Sequence, residues 1–193
     1  MTLKRRLYTI IVIAVIMMSM LYCFGSVAVA NDDVIDSGSC GDNATWTLTG
    51  TSTDMTLTIS GTGAMQDLTK SMIPWGSRRS KIKRLVVEEG ITSLGDYAFY
   101  SVNKLTEVSL PPDITSIGSY CFANEVSLTS IDIPKGVSRI GEYAFCDCSR
   151  LTDISIPVGV AHIGEHAFCG CSRLTDISIP EGVTDIEAYT FGK

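Results

Sequence analysis

Cations are scarce in this chain. It carries 15 Lys and Arg against 21 Asp and Glu, a net charge of −6. Three of the cations, Lys4, Arg5 and Arg6, lie in the first 30 residues, where no acidic residue occurs. The remainder therefore holds 12 cations against 21 anions, a net charge of about −9. A surface that acidic repels a phosphate backbone and excludes nucleic acid as a general partner. Cysteine is too sparse for a small disulfide scaffold, with six of the seven residues falling after position 30. Past residue 30, no stretch is long and apolar enough to span a bilayer.

What the chain has instead is a period. Ile82, Leu105, Leu128, Leu151 and Leu174 follow one another at intervals of 23 residues, and so do Phe99, Phe122, Phe145, Phe168 and Phe191. A fixed period of this length predicts a leucine-rich solenoid. Counting the opening Leu or Ile as position 1, apolar residues recur at positions 1, 4, 6, 10, 13 and 18; in the third unit these are Leu128, Ile131, Ile133, Val137, Ile140 and Phe145. Positions 1 to 6 alternate and predict a short strand. Pro111, Pro134, Pro157 and Pro180 end it, since proline has no N–H for a ladder. Gly95, Gly118, Gly141 and Gly164 at position 14 predict a tight corner, through a positive φ or a close backbone approach. The rest of each unit is too short for more than a turn of helix. A single coil cannot bury enough apolar surface to offset ordering its backbone, so stability must come from stacking.

Ahead of the repeats, residues 1–30 read as a signal peptide. Lys4, Arg5 and Arg6 precede an apolar stretch from Leu7 to Phe24, and Ala28-Val29-Ala30 offers small residues for cleavage before Asn31. An uncleaved anchor is the alternative. Residues 31–39 are polar and read as a flexible leader, and 40–81 as an N-terminal β cap. In the cap, Thr45–Thr49 and Thr56–Ser60 alternate around a turn at Gly50–Asp54. This predicts a hairpin burying Trp46, Leu48, Leu57 and Ile59, joined by Met72, Pro74 and Trp75. Residues 82–193 hold five repeat units, the last incomplete.

These features resemble the BspA-type leucine-rich repeat family of bacterial surface proteins. The pattern LTxIxIPxGVxxIGxxAFxxC is carried most fully by residues 151–171, LTDISIPVGVAHIGEHAFCGC. The cap segments SGSCGDNATWTLTG, LTISGTGAM and PWGSRRSKIKRLVVEEGITSLGDYAF match in order. The resemblance covers about residues 37–193 and implies an exported or surface-exposed protein that binds proteins or other cells. The last unit departs from the pattern, with Glu187 in place of glycine and Thr190 in place of alanine.

Four features carry potential chemistry. His162-Ile163-Gly164-Glu165-His166 matches H-x-x-E-H, in which two histidines hold zinc and the glutamate is the base of a hydrolase. The repeat accounts for the match without chemistry, because Arg139–Tyr143 and Ser116–Tyr120 are its counterparts. The central glycine also denies the motif a long helix. Cys146, Cys148, Cys169 and Cys171 form two C-x-C pairs in adjacent coils, open to three readings: buried free thiols, an inter-coil disulfide such as Cys148–Cys171, or a metal site. Cys121 reads as core and Cys40 as part of the cap. The basic run Arg78–Arg84 is either a solvated face at the cap–repeat junction or a patch for an acidic partner. Strand positions 3 and 5 face outward and form a polar, increasingly acidic strip: Arg84 and Val86, then Glu107, Ser109, Ser130, Asp132, Asp153, Ser155, Asp176 and Ser178. Such a strip is either a partner surface or ordinary solvation. The expectation is an exported, non-enzymatic solenoid that binds a protein or glycan ligand on a host or neighbouring cell. It has no catalytic residue, cofactor or metal. The competing expectations are a self-assembling structural protein associating through its C-terminal edge, a truncated piece of a longer array, and a zinc hydrolase built on His162, Glu165 and His166.

Overall fold

The computed structural model describes residues 33–192. The signal-peptide reading of 1–30 and the start of the leader lie outside the described residues. Four strands build the cap: β1 (Asp36–Ser39), β2 (Ala44–Gly50), β3 (Met55–Gly61) and β4 (Gly63–Ala64). Each coil then contributes short strands: β5 (Ile82–Val87) and β6 (Ile91–Leu94), β7 (Glu107–Ser109) and β8 (Ser116–Ile117), β9 (Ser130–Asp132) and β10 (Arg139–Ile140), β11 (Asp153–Ser155) and β12 (His162–Ile163), and finally β13 (Asp185–Ile186).

The described residues form a solenoid. Its parallel register advances one coil per rung, as in Arg139↔Ser116, Arg139↔His162 and His162↔Asp185. The second strands form one six-stranded sheet, in the order β13-β12-β10-β8-β6-β4. The first strands divide into the sheet β1-β2-β3-β5-β7 and the pair β11-β9. Because β3 pairs in parallel with β5, and β4 with β6, the cap supplies a rung of its own beneath the first repeat, giving six turns in all. Part of the expected leader belongs to this cap. Asp36–Ser39 pairs antiparallel with β2, and the Ile35 N–H donates to Leu48 O at 2.7 Å. The alternation in β2 and β3 buries Trp46, Leu48, Leu57 and Ile59. Of the three residues expected to join them, Trp75 is buried, Pro74 is exposed, and Met72 is 61% exposed; the neighbouring Ile73 packs inward instead.

The core is a set of ladders. Phe99, Phe122, Phe145, Phe168 and Phe191 stack with ring centroids 5.2–5.6 Å apart. Trp75 continues the stack into the cap, 6.0 Å from Phe99, and Trp46 meets Trp75 edge-on at 5.7 Å. This is how the cap closes the first coil: it covers the exposed ring face that stacking would otherwise leave in water. Threonine and serine hydroxyls on the outer surface bond to carbonyls one coil back, as in Thr115 to Thr92 (2.9 Å) and Thr152 to Thr129 (3.2 Å).

The position-14 glycines are explained by close approach rather than positive φ. A Cβ on Gly141 would lie 2.6 Å from the Ser119 nitrogen, and one on Gly164 2.6 Å from the Glu142 nitrogen. The left-handed residue comes two positions later and is bulky: Tyr97, Tyr120, Tyr143, His166 and Tyr189 have φ of 54–57°. Such a conformation is costly for an aromatic residue. It is offset by inter-coil bonding, since the N–H of Tyr120 donates to Glu142 O at 2.8 Å and that of Tyr143 to Glu165 O at 2.9 Å.

Candidate functional site

The outward strip is where the alternation placed it. Glu107 and Ser109 flank Val108 in β7, Ser130 and Asp132 flank Ile131 in β9, and Asp153 and Ser155 flank Ile154 in β11. The flanking residues are exposed, while Ile131 and Ile154 are buried. Register brings Asp153 beside Ser130 and Ser155 beside Asp132. Asp176 and Ser178 are exposed too, but their segment pairs with no strand among the described residues. None of Glu107, Asp132, Asp153 and Asp176 makes an ion pair among the described residues, so the strip presents four uncompensated carboxylates. At its edge, Asp132, Ile133, Lys135, Ser155, Ile156, Pro157 and Val158 line a shallow hollow of about 510 Å³. Val158 on its rim is 79% exposed.

The strip is acidic only beyond the first coil; in that coil it begins with Arg84, which is tied to the cap. Arg84 Nη2 lies 2.8 Å from Asp54 Oδ1, its Nε donates to Thr56 Oγ1 at 3.0 Å, and Lys83 Nζ lies 3.1 Å from Asp54 Oδ2. Arg78 reaches Asp36 at 3.5 Å. Lys83 and Arg84 therefore clamp the cap to the first coil, while Arg78 ties two parts of the cap together. The hydrogen bond from Lys83, then that from Arg84, hold the Asp54 carboxyl below its usual range.

The H-x-x-E-H residues are not gathered into one site. His162 faces the last coil, with Nδ1 3.2 Å from Asp185 Oδ2 and Nε2 3.1 Å from Glu187 Oε1. His166 stands in an aromatic stack between Tyr143 (4.6 Å) and Tyr189 (5.1 Å), with Glu165 Oε1 3.4 Å from its Nε2. The six cysteines among the described residues are free. The Cys148 and Cys171 thiols reach the carbonyls of Phe122 and Phe145 one coil back, at 3.1 and 3.2 Å. Their mutual hydrogen bond raises Cys148, which burial raises further, and lowers Cys171. Burial pushes Cys146 up to about 12. Among the described residues, no metal-ligand group includes a cysteine. Cys121 and Cys40 are buried.

Two features were not recognised in the sequence. One is the ribbon of Tyr97, Tyr120, Tyr143, His166 and Tyr189, half-buried except at the exposed Tyr189, stacked at 4.6–5.1 Å with rings within 16° of parallel. Reading down position 16 would have found it. Lys70 approaches its cap end, with Nζ 4.7 Å from the Tyr100 ring centroid and 6.0 Å from that of Tyr97. Burial pushes the Tyr120 phenol up to about 12. The other is Glu125, fully buried, whose Oε1 accepts the Val102 N–H at 2.6 Å.

A family model for the BspA type leucine rich repeat region matches residues 77–193 in six copies. The chain belongs to the BspA-type leucine-rich repeat family. Among solved structures, a leucine-rich repeat protein from Eubacterium ventriosum is similar to it at 32% identity with a TM-score of 0.66, over 79% of this chain and 40% of that one. A leucine rich cell surface protein from Faecalibacterium prausnitzii is similar at 26% identity with a TM-score of 0.55, over 72% of this chain and 38% of that one. The chain thus spans well under half the length of either structure. No curated protein matches it. The BspA-type pattern explains the hydrophobic ladders and the position-14 glycines. It does not account for the residues on which coils differ: the strip, the hollow, His162 at position 12, and Glu187, which breaks the position-14 glycine in the last unit.

Proposed function

We propose that this BspA-type chain is an exported, non-enzymatic binding protein that attaches to a protein or glycan ligand on a host or neighbouring cell. The observation that carries the reading is the strip: four carboxylates free of ion pairs among the described residues, one from each of four consecutive coils, beside a hollow with an exposed Val158 rim. A solenoid offers such a surface with little reorganisation on binding, because the middle of the strip sits on β9 and β11, anchored by the buried Ile131 and Ile154. Carboxylates lined up on one face select a ligand with cationic or hydrogen-bond-donating groups. Export is supported by the charged, apolar and small-residue succession of residues 1–30. A surface location is supported by the cell-surface description of the Faecalibacterium relative. No catalytic residue is assigned.

The test is binding of labelled residues 31–193 to immobilised extracellular-matrix proteins and to a glycan array. It would be run in parallel with the variant Glu107→Gln/Asp132→Asn/Asp153→Asn/Asp176→Asn. The reading expects binding that weakens with salt and is lost in the variant, whose thermal midpoint stays unchanged. Binding that is indifferent to all four substitutions would refute the strip as the contact surface. Self-association is the competing reading, and a monomer across a concentration series in light scattering would set it aside.

A further inference from the structure

The imidazole of His162 lies between two carboxylates. Register pairs His162 in β12 with Asp185 in β13, and Nδ1 is 3.2 Å from Asp185 Oδ2. Glu187 occupies the position that is glycine in the other four units, and its Oε1 lies 3.1 Å from Nε2. Its other oxygen is already used, accepting the Glu165 N–H at 3.0 Å. A neutral imidazole has one N–H and one lone pair. With Nδ1–H donating to Asp185, Nε2 carries a lone pair. Nε2 is shielded from solvent and makes no hydrogen bond, although Glu187 Oε1 lies only 3.1 Å away.

We propose that His162, Asp185 and Glu187 form a site for a divalent transition-metal cation that joins the last two coils. One imidazole nitrogen and one oxygen from each carboxylate lie within 4.8 Å of one another. With metal–ligand bonds of about 2.0–2.1 Å, the 3.1 Å nitrogen–oxygen separation subtends roughly 95–100° at the ion. That angle suits both octahedral and tetrahedral coordination. Asp185 either swings in as a third ligand, being exposed, or stays on Nδ1–H and fixes the ring orientation as an outer-shell carboxylate does. Water completes the coordination. An imidazole with two carboxylates favours a borderline cation such as Zn²⁺ or Co²⁺, and the two negative charges match a divalent ion. The nearest opposing charge by register is Arg139 in β10, on the far side of His162; it is exposed and free to turn into solvent. The site differs from the H-x-x-E-H reading, since it takes neither His166 nor Glu165 as a ligand.

The experiment is equilibrium dialysis of the full chain against Co²⁺ under reducing conditions, read by bound metal and by absorption. Cobalt is the probe because thiolate ligation shows a sulfur-to-metal charge-transfer band, whereas nitrogen and oxygen ligands give none. The control variants His162→Ser and Glu187→Gly each import the residue that other units carry at those positions, as in Ser116 and Gly164, so the coil keeps its fold. The expected result is one equivalent of Co²⁺ without a sulfur band, a raised thermal midpoint, and at least tenfold weaker binding in either variant. Two results would overturn the proposal. One is no Co²⁺ retained above the variants at millimolar metal. The other is retention with a sulfur band that survives both variants and disappears in Cys148→Ala/Cys171→Ala.

Discussion

Replacing Glu125 with glutamine should remove a pH dependence of stability that the native chain carries. Glu125 is fully buried, with one oxygen on the Val102 N–H and the other without a partner. Its counterparts in the neighbouring coils, Val102 and Cys148, carry no charge at neutral pH. Burial raises its carboxyl well above the usual value of 4.5. A group whose pKa is raised on folding favours the folded state fully below its unfolded pKa, and that favour is lost as pH rises through the folded pKa. From about pH 4.5 upward, each pH unit should therefore lower the folding equilibrium about tenfold, until the folded pKa is passed. For a chain of this size that corresponds to roughly 3–6 °C in thermal midpoint per unit. Glutamine keeps the acceptor for Val102 and cannot ionise. Thermal melts of both proteins at pH 5, 6 and 7 test the point. Their difference cancels the exposed carboxylates and both histidines, leaving a gap that widens in favour of the variant as pH rises. Parallel curves would show that the Glu125 charge is accommodated in the folded state and would refute the argument.

Further outcomes follow from the ladders and the clamp. Phe145→Ala should cost about 3–5 kcal/mol, because Phe145 is fully buried between Phe122 and Phe168, each 5.4 Å away. Asp153→Ala should stay within about 0.5 kcal/mol. Equal losses in urea melts would contradict the assignment of inside and outside. Gly141→Ala should destabilise by about 1–3 kcal/mol, since its Cβ would meet the backbone of the preceding coil at 2.6 Å; an unchanged midpoint would show that the coils can separate there. Asp54 has a lowered pKa, so its contribution is present above the unfolded value and lost as pH falls through the folded one. Asp54→Asn should therefore flatten the acid limb of the stability profile, and an unaltered limb would mean the clamp contributes nothing.

The fold was legible because the 23-residue period fixes which residues share a ladder. The Leu/Ile and Phe positions named the core of the first four coils, though in the last one Leu174 is partly buried and Phe191 exposed, and the alternation around Ile131 and Ile154 named the faces of the strip. Other features were not legible, for local reasons. Asp36–Ser39 looks like a polar leader, yet it is held by backbone pairing to β2, which needs no apolar side chains. The corner at position 14 could be read as a turn glycine or as a close approach, and the sequence does not distinguish the two. The left-handed tyrosines break the usual residue preference, so propensity points away from them; only the neighbouring coils hold them there. His162, Asp185 and Glu187 are spread over 26 residues and meet because register folds one coil onto the next. In the linear sequence, His162 instead suggests an alliance with His166, which the stack keeps apart.

The coils beginning at Leu128 and Leu151 are identical at 16 of 23 positions, and each bonds only to the rungs directly above and below it. A tandem duplication of such a unit would meet the same ladders at both faces and disturb no packing. It would lengthen the strip by about 4.8 Å and add one more rung of outward-facing side chains. Copy number can therefore drift between lineages with little structural penalty, and the reach of the outward face would drift with it.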